Sequence, residues 1–210
     1  FARGYPMTLA ETASTFGEQV LMNGFLEAPT VTDRQKALIL DVEVGHGAIY
    51  LLDIPVRYEF EKAFYEERSE NPVSISRLKQ LMVDTQRRVL GDVLESGAED
   101  PYFWASKLHF YITGITFYNF PYTFGYILSR GLYRMFKEES AGFLPKYEAF
   151  LRLAGSDTAE NVVKRTLGVD IEKPDFWVEA IQSLEEPLNR LQALAPKVLP
   201  SANGKNSFNS

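Results

Sequence analysis

Residues Thr32 to Arg68 read TDRQKALILDVEVGHGAIYLLDIPVRYEFEKAFYEER. Thr32-Asp33 is a helix opening, and Leu38, Leu40, Val42, Val44, Ile49, Leu51, Leu52, Val56, Phe60 and Phe64 supply apolar residues along the whole stretch. Gly45, Gly47 and Pro55 lie inside it. A proline interior to a helix removes a donor and crowds the preceding turn, so one long helix kinked near Pro55 is predicted. The helical period continues on both sides. Upstream, Thr8 to Met22 reads as a helix opened by Pro6 and closed by Asn23-Gly24. Downstream, Ser74 caps a helix over 75–94, and Pro121 to Lys137 is helical again. Three further helices are expected at 142–153, 158–166 and 175–194, with Gly155 and Gly168 as stops. Only Tyr102 to Asn119, aromatic and β-branched, leaves room for irregular or extended chain. The fold class is all-α: a compact multi-helix unit over residues 1–196, followed by a polar tail at 197–210.

Composition narrows the function. The chain has 210 residues, 45% hydrophobic and 24% charged, enough to bury a core. No apolar run approaches the roughly 18 residues of a membrane-spanning helix, so no membrane partner is expected. A net charge of −6 argues against a nucleic-acid partner. There is no cysteine, which removes disulfide, thiol and cysteine-zinc chemistry. The chain opens Phe1-Ala2-Arg3-Gly4, without Met and without an apolar leader, and reads as the continuation of a longer protein. These features fit the cytoplasm.

Two segments could carry chemistry. Glu11 and Glu18 stand seven residues apart, nearly two turns, on one helix face, where a carboxylate can ligate a metal. Thr8-x-x-Glu11 equally matches a capping box, in which Glu11 only closes the helix start. Ala10, Thr12, Ala13, Ser14 and Thr15 are small and would let this helix lie close to another. The second segment runs from His109 to Tyr126 and contains Tyr111, Tyr118, Tyr122, Gly114 and Gly125. Its hydroxyls and imidazole could donate to a developing oxyanion, or could simply form an aromatic core. His46 lacks a second histidine at helical spacing and reads as a packing residue. Arg57, Glu59 and Glu61 read as a solvated, ion-paired face. Glycine-rich phosphate loops and serine-nucleophile motifs are absent from the sequence.

Taken together, Ala2-Arg3-Gly4 through Leu9-Ala10-Glu11-Thr12-Ala13-Ser14-Thr15-Phe16-Gly17-Glu18, Asp53 to Glu61 and Phe117 to Arg130 resemble oligoendopeptidase F-type zinc metallopeptidases, of the thimet oligopeptidase-like group. The resemblance covers about Phe1 to Leu194. It implies a helical enzyme with a channel for short peptides. It also implies one zinc held by a His-Glu-x-x-His helix and a later glutamate, here Glu11, with a zinc-activated water as nucleophile. By the same resemblance His109, Tyr111, Tyr118 and Tyr122, and less closely Tyr126, face the substrate; Glu18 is at most a supporting residue.

The sequence departs from that pattern at the metal helix. Neither His46 nor His109 begins a His-Glu-x-x-His, so this chain holds one zinc ligand of three and no general base. The expectation is the C-terminal part of a peptidase catalytic domain, inactive and weakly zinc-binding alone. Its partners would be short peptides and the N-terminal part of the same protein. Self-association through the uncovered face of the Glu11 helix is also expected. A non-catalytic helical binding module with an inherited peptidase fold is the alternative, and a plain helical scaffold a third reading.

Overall fold

Pro55 shapes the long stretch from which the fold was read. A computed structural model of the chain describes residues 4–199. Helix α2 spans Asp33–Ala48 and helix α3 spans Ile54–Glu70, with Ile49–Asp53 between them as a turn of π-helix. The Ile54 N–H donates to the Ile49 carbonyl, one residue further back than in an α-helix. Pro55 has no N–H, and its ring would crowd the carbonyl four residues back; the wider turn accommodates it without ending the helical path. The interruption falls where a kink is expected and takes the form of a π turn. At the start of α2, Gln35 N–H donates to Thr32 Oγ1 at 3.3 Å and Thr32 N–H donates to Gln35 Oε1 at 2.9 Å, a reciprocal capping box.

Every regular element among the described residues is helical, so the all-α class holds. The remaining helices are α1 (Thr12–Glu27), α4 (Ile75–Leu90), α5 (Phe120–Glu139), α6 (Phe143–Leu153), α7 (Ala159–Leu167), α8 (Pro174–Gln182) and α9 (Glu185–Val198). Short 3₁₀ turns at Phe103–Ser106 and Leu108–Tyr111 occupy the aromatic segment. Helix α5 is the centre: α1, α3, α6 and α8 all pack against it. Its inner face, Leu128, Leu132 and Met135, shares one core with Phe16, Phe143, Phe150, Val162, Val163, Leu167 and Phe176. A second cluster, Val56, Phe60, Leu81 and Met82, joins α3 to α4. Helix α2 lies against α9 and α1, and α6 against α7.

Several boundaries differ from the sequence reading. Helix α1 runs through Asn23-Gly24 because Leu26 is buried in its last turn and Asn23 Nδ2 donates to Gln19 O at 3.0 Å. It ends at Ala28, extended ahead of Pro29 as a residue before proline prefers. The Thr8-x-x-Glu11 capping box does not form: Met7–Leu9 is a 3₁₀ turn, and Glu11 itself is the N-cap of α1. Helix α4 stops at Leu90, because Gly91 takes φ +59°. The expected single helix over 175–194 is two, α8 and α9, meeting at Ser183-Leu184. Pro187 cannot donate to the Ser183 carbonyl, and the Arg130 guanidinium takes that carbonyl instead. Of the tail read at 197–210, Lys197 and Val198 end α9, and 200–210 lie outside the described residues.

At Gly131 the ring of Phe176 lies directly over the α5 backbone, and a Cβ there would come within 2.2 Å of Phe176 Cζ. Gly131→Ala should therefore lower stability by about 1–3 kcal/mol through overpacking. Gly45→Ala, with nothing within 4 Å of its Cβ on a solvent-facing turn of α2, should be neutral or stabilising by up to about 1 kcal/mol. Urea-unfolding midpoints of the two variants, at unchanged m-value, test the pair.

Candidate active site

Glu11 is held where α1 meets α5. A Cβ on Gly125 would stand 3.0 Å from Glu11 Cβ and 3.2 Å from the Glu11 carbonyl carbon and the Thr12 nitrogen. Only glycine allows the two backbones so close. Thr12, Thr15 and Gln19 of α1 are buried against α5. Thr15 Oγ1 donates to the Glu11 carbonyl at 2.7 Å and lies 3.5 Å from the Gly125 carbonyl, and Gln19 Nε2 donates to Ser129 Oγ at 2.7 Å. The small-residue helix thus packs closely along one face, as its composition implies, while Ala13 and Ser14 face outward. Glu11 is half-buried, and the Ser14 hydroxyl donates to its Oε2 at 3.3 Å. Glu11 has no cationic partner among the described residues. Glu18 is exposed, with His46 Nδ1 3.9 Å from its Oε2.

The first turn of α5 brings Tyr122 into this setting. Its hydroxyl lies 3.3 Å from His109 Nε2, and the two rings meet edge to face at 5.6 Å. Tyr118 stacks on the His109 ring, centroids 5.3 Å apart and planes 20° apart. Burial pushes the Tyr122 phenol up to about 12, with Tyr118, Glu11 and Tyr50 acting in the same direction. Burial pushes the His109 imidazole down, with Arg57 and Lys107 reinforcing the effect. Near neutral pH the pair is therefore an uncharged imidazole beside a protonated phenol, a group that can donate but not lose its proton.

Glu11, His109, Tyr118 and Tyr122 thus gather at one end of α5. Tyr111, 54% exposed at the end of the same 3₁₀ turn as His109, has no hydrogen bond or ring contact with them. Tyr126, one turn after Tyr122, is buried and stacks at 4.6 Å on Tyr50.

Three residues were not singled out as site residues in the sequence. Tyr50, in the π turn, accepts at its carbonyl from Thr123 Oγ1 at 2.5 Å. Its phenol is raised by burial and then by Glu18 and Glu11. Arg57 pairs with Asp53, reaches Asn119 Oδ1 at 3.4 Å and acts on His109. Glu61, read as part of a solvated face, is buried and accepts from the Phe117 N–H. The i, i+4 spacings of His46 with Tyr50 and of Asp53 with Arg57 were the only local signals of the first two.

Residues 1–183 match the family model described as Peptidase family M3. The chain belongs to peptidase family M3. It is 26% identical over 200 residues to Oligopeptidase PepF of Bacillus subtilis, covering 94% of this chain and 29% of that protein. It is 28% identical over 196 residues to the plasmid Oligoendopeptidase F of Lactococcus lactis, covering 92% of this chain and 31% of that protein. The crystal structure of oligoendopeptidase-F from Enterococcus faecium superposes with a TM-score of 0.76 at 25% identity, over 92% of this chain and 36% of that one. The chain thus spans about a third of the length of the relatives it matches. Family membership fits the helical architecture. Among the described residues of this M3 chain, no three histidine or acidic side chains converge as a metal site, and no helix is long and apolar enough to cross a membrane.

With only two histidines in the sequence, His109 can be followed directly. A proton NMR titration should give His109 a pKa below the ordinary histidine value, and Lys107→Ala should raise it. Because the folded pKa is depressed, this histidine contributes stability that is present above the unfolded value of roughly 6.5 and is lost as pH falls through it toward the folded value. An unfolding midpoint that is flat in pH across that window after His109→Asn, and sloping before it, is the expected companion result.

Proposed function

We propose that this chain is the C-terminal part of the catalytic domain of a zinc metalloendopeptidase that hydrolyses short peptides. The observation that carries the reading is the meeting of Glu11 with the His109–Tyr122 pair at one end of α5. Glu11 fits one position of a zinc site: it is a half-buried carboxylate on a rigid helix start with no cation paired to it among the described residues. The described residues do not fit the whole site, since a catalytic zinc takes three protein ligands and only Glu11 is available here. The other ligands belong to the part of the protein that this chain does not include. The chain alone is accordingly inactive and holds zinc weakly. When bound, zinc supplies a Lewis acid and an acidified water.

The tasks of this chain's own residues follow from their surroundings. Tyr122 keeps its proton to well above neutral pH, so its hydroxyl is a donor aimed at a position where a peptide carbonyl oxygen gains charge. The uncharged His109 orients that hydroxyl and supplies a second hydrogen-bonding atom toward the peptide. Tyr118, stacked on His109, fixes the ring plane. Tyr111, exposed on the flanking turn, is a contact for the extended part of a substrate and not for the reacting bond. Short unstructured peptides are the substrate class because backbone carbonyls, and not particular side chains, are what these donors address. A cysteine-free chain suits the cytoplasm.

In the full-length protein, Glu11→Gln should abolish cleavage of a quenched-fluorescent peptide and reduce bound zinc, measured by elemental mass spectrometry. Tyr122→Phe should retain zinc and lower kcat by about 10²–10³-fold, the range for losing one oxyanion donor, with KM nearly unchanged. Full zinc and full activity in Glu11→Gln would sink the reading.

A further inference from the structure

Phe117 stands in a backbone conformation that a phenylalanine rarely takes, with φ at +54°. The only other non-glycine residue with positive φ among those described is Ser140, at the end of α5. A short polar side chain such as serine tolerates that region better than a bulky one, and phenylalanine has no local hydrogen bond with which to offset the crowding of its Cβ. Something outside the loop must hold it there.

Helix α3 provides the hold. Tyr58, Glu61 and Tyr65 lie at i, i+3 and i+7, on one face of the helix. The Phe117 ring sits between the two tyrosines, 5.5 Å from each centroid. Between them the Phe117 N–H donates to Glu61 Oε1 at 2.7 Å. Glu61 is 3% exposed, and among the described residues it forms no salt bridge and its buried Oε2 has no hydrogen-bond partner within 3.5 Å. Burial raises its pKa, against the lowering by the Phe117 N–H and by the nearby Tyr65 hydroxyl and Asn119 amide. A buried carboxylate without a cation is costly to keep, and its short 2.7 Å hydrogen bond goes to the one strained aromatic residue in the loop.

The two residues that follow are those the site depends on. Tyr118 stacks on His109. Asn119 is fully buried, accepts from Arg57, and receives the Tyr122 N–H at its carbonyl at 3.2 Å, which starts α5. Turning Phe117 to negative φ would swing Tyr118 off the imidazole and displace Asn119.

We propose that Glu61 is a positioning residue for the active site: its buried carboxylate oxygen holds the Phe117 backbone in the left-handed region, and that conformation aims Tyr118 onto His109. The catalytic consequence rests on the peptidase reading above, whereas the geometric claim does not. Glu61 itself touches neither His109 nor Tyr122; it acts through the Phe117 amide.

Two conservative variants of the full-length protein separate reach from charge. Glu61→Gln keeps an acceptor at the same distance from the Phe117 N–H and discards the charge. Glu61→Asp keeps the charge and shortens the side chain by one methylene. The readouts are kcat and KM on a quenched-fluorescent peptide, and the ¹³Cε1 signal of His109, which senses the Tyr118 stack and is assigned by its loss in His109→Asn. Val56→Ala, on the inward face of the same helix, controls for destabilisation alone. Glu61→Asp should lower kcat by roughly tenfold or more, as misplacement near a reacting centre does, with little change in KM and a displaced His109 signal. Glu61→Gln should stay near wild type in both, and Val56→Ala should leave the His109 signal in place. Wild-type kcat and an unmoved His109 signal in Glu61→Asp overturn the proposal, as does a Glu61→Gln variant that loses as much as Glu61→Asp. Should the wild-type protein cleave no peptide, the peptidase reading falls, and the His109 signal in the two variants still decides the positioning claim.

Discussion

Arg130 is a charged side chain in the middle of the protein, and three separate parts of the chain are fixed by how its guanidinium is satisfied. Its Nη1 donates to Glu43 Oε1 of α2 at 3.1 Å, and its Nε and Nη2 donate to the hydroxyl and the carbonyl of Ser183 at 2.8 and 2.9 Å. Both members of the ion pair are almost wholly removed from solvent. A buried pair of this kind adds little net stability over well-packed apolar residues, but removing one partner costs about 3–5 kcal/mol because a charge is left stranded. Its effect is on arrangement. Helix α2 must present Glu43 to α5, and the chain must turn at Ser183 so that its carbonyl faces inward. That turn is the junction of α8 and α9, and α9 in turn covers α2. The register of α2 on α5 then places the π turn and Tyr50 beside Tyr126.

The end of α5 that carries Tyr122 rests on a second constraint, the absence of a side chain at Gly125. Because α1 can approach the α5 backbone there, Glu11 stands close enough to Tyr122 for its charge to act on the phenol. The same helix turn thus carries the residue that permits the approach and, three positions earlier, the residue that benefits from it. Burial keeps the phenol protonated and the imidazole neutral, so the site is a pair of uncharged hydrogen-bonding groups facing a single carboxylate. Such an arrangement can stabilise negative charge as it develops without an opposing charge of its own except at Glu11.

Much of this fold was legible as local chemistry. Thr32, Ser74 and Thr158 each begin a helix with the side-chain cap that their type favours. Pro55 interrupts the long stretch close to its own position, Gly168 closes α7 in a left-handed conformation, and the aromatic segment is irregular. The likeness of the chain to a peptidase family was also visible, as was the absence of a His-Glu-x-x-His from its sequence. Less legible was everything that turns on a distant partner. Asn23-Gly24 is a fair stop signal until Leu26 gains more by burial than the stop offers. A single helix over 175–194 is a fair reading until Arg130 claims the Ser183 carbonyl.

By itself, the sequence determined that the chain is helical and where most helices begin, because caps, proline and apolar period act within a few residues of themselves. Tertiary structure alone decided which acids are buried and what they hold. Glu61 sits in a run of charges that looks solvated, and Glu43 in a helix whose apolar and charged residues are spread around all its faces, yet one fixes the Phe117 backbone and the other the Arg130 guanidinium. Tyr111 shares the composition of its segment but is turned to solvent. The physical reason is common to all three: burial and hydrogen-bonding partners are properties of surfaces brought together from fifty or more residues away, and no local pattern records which surface will arrive.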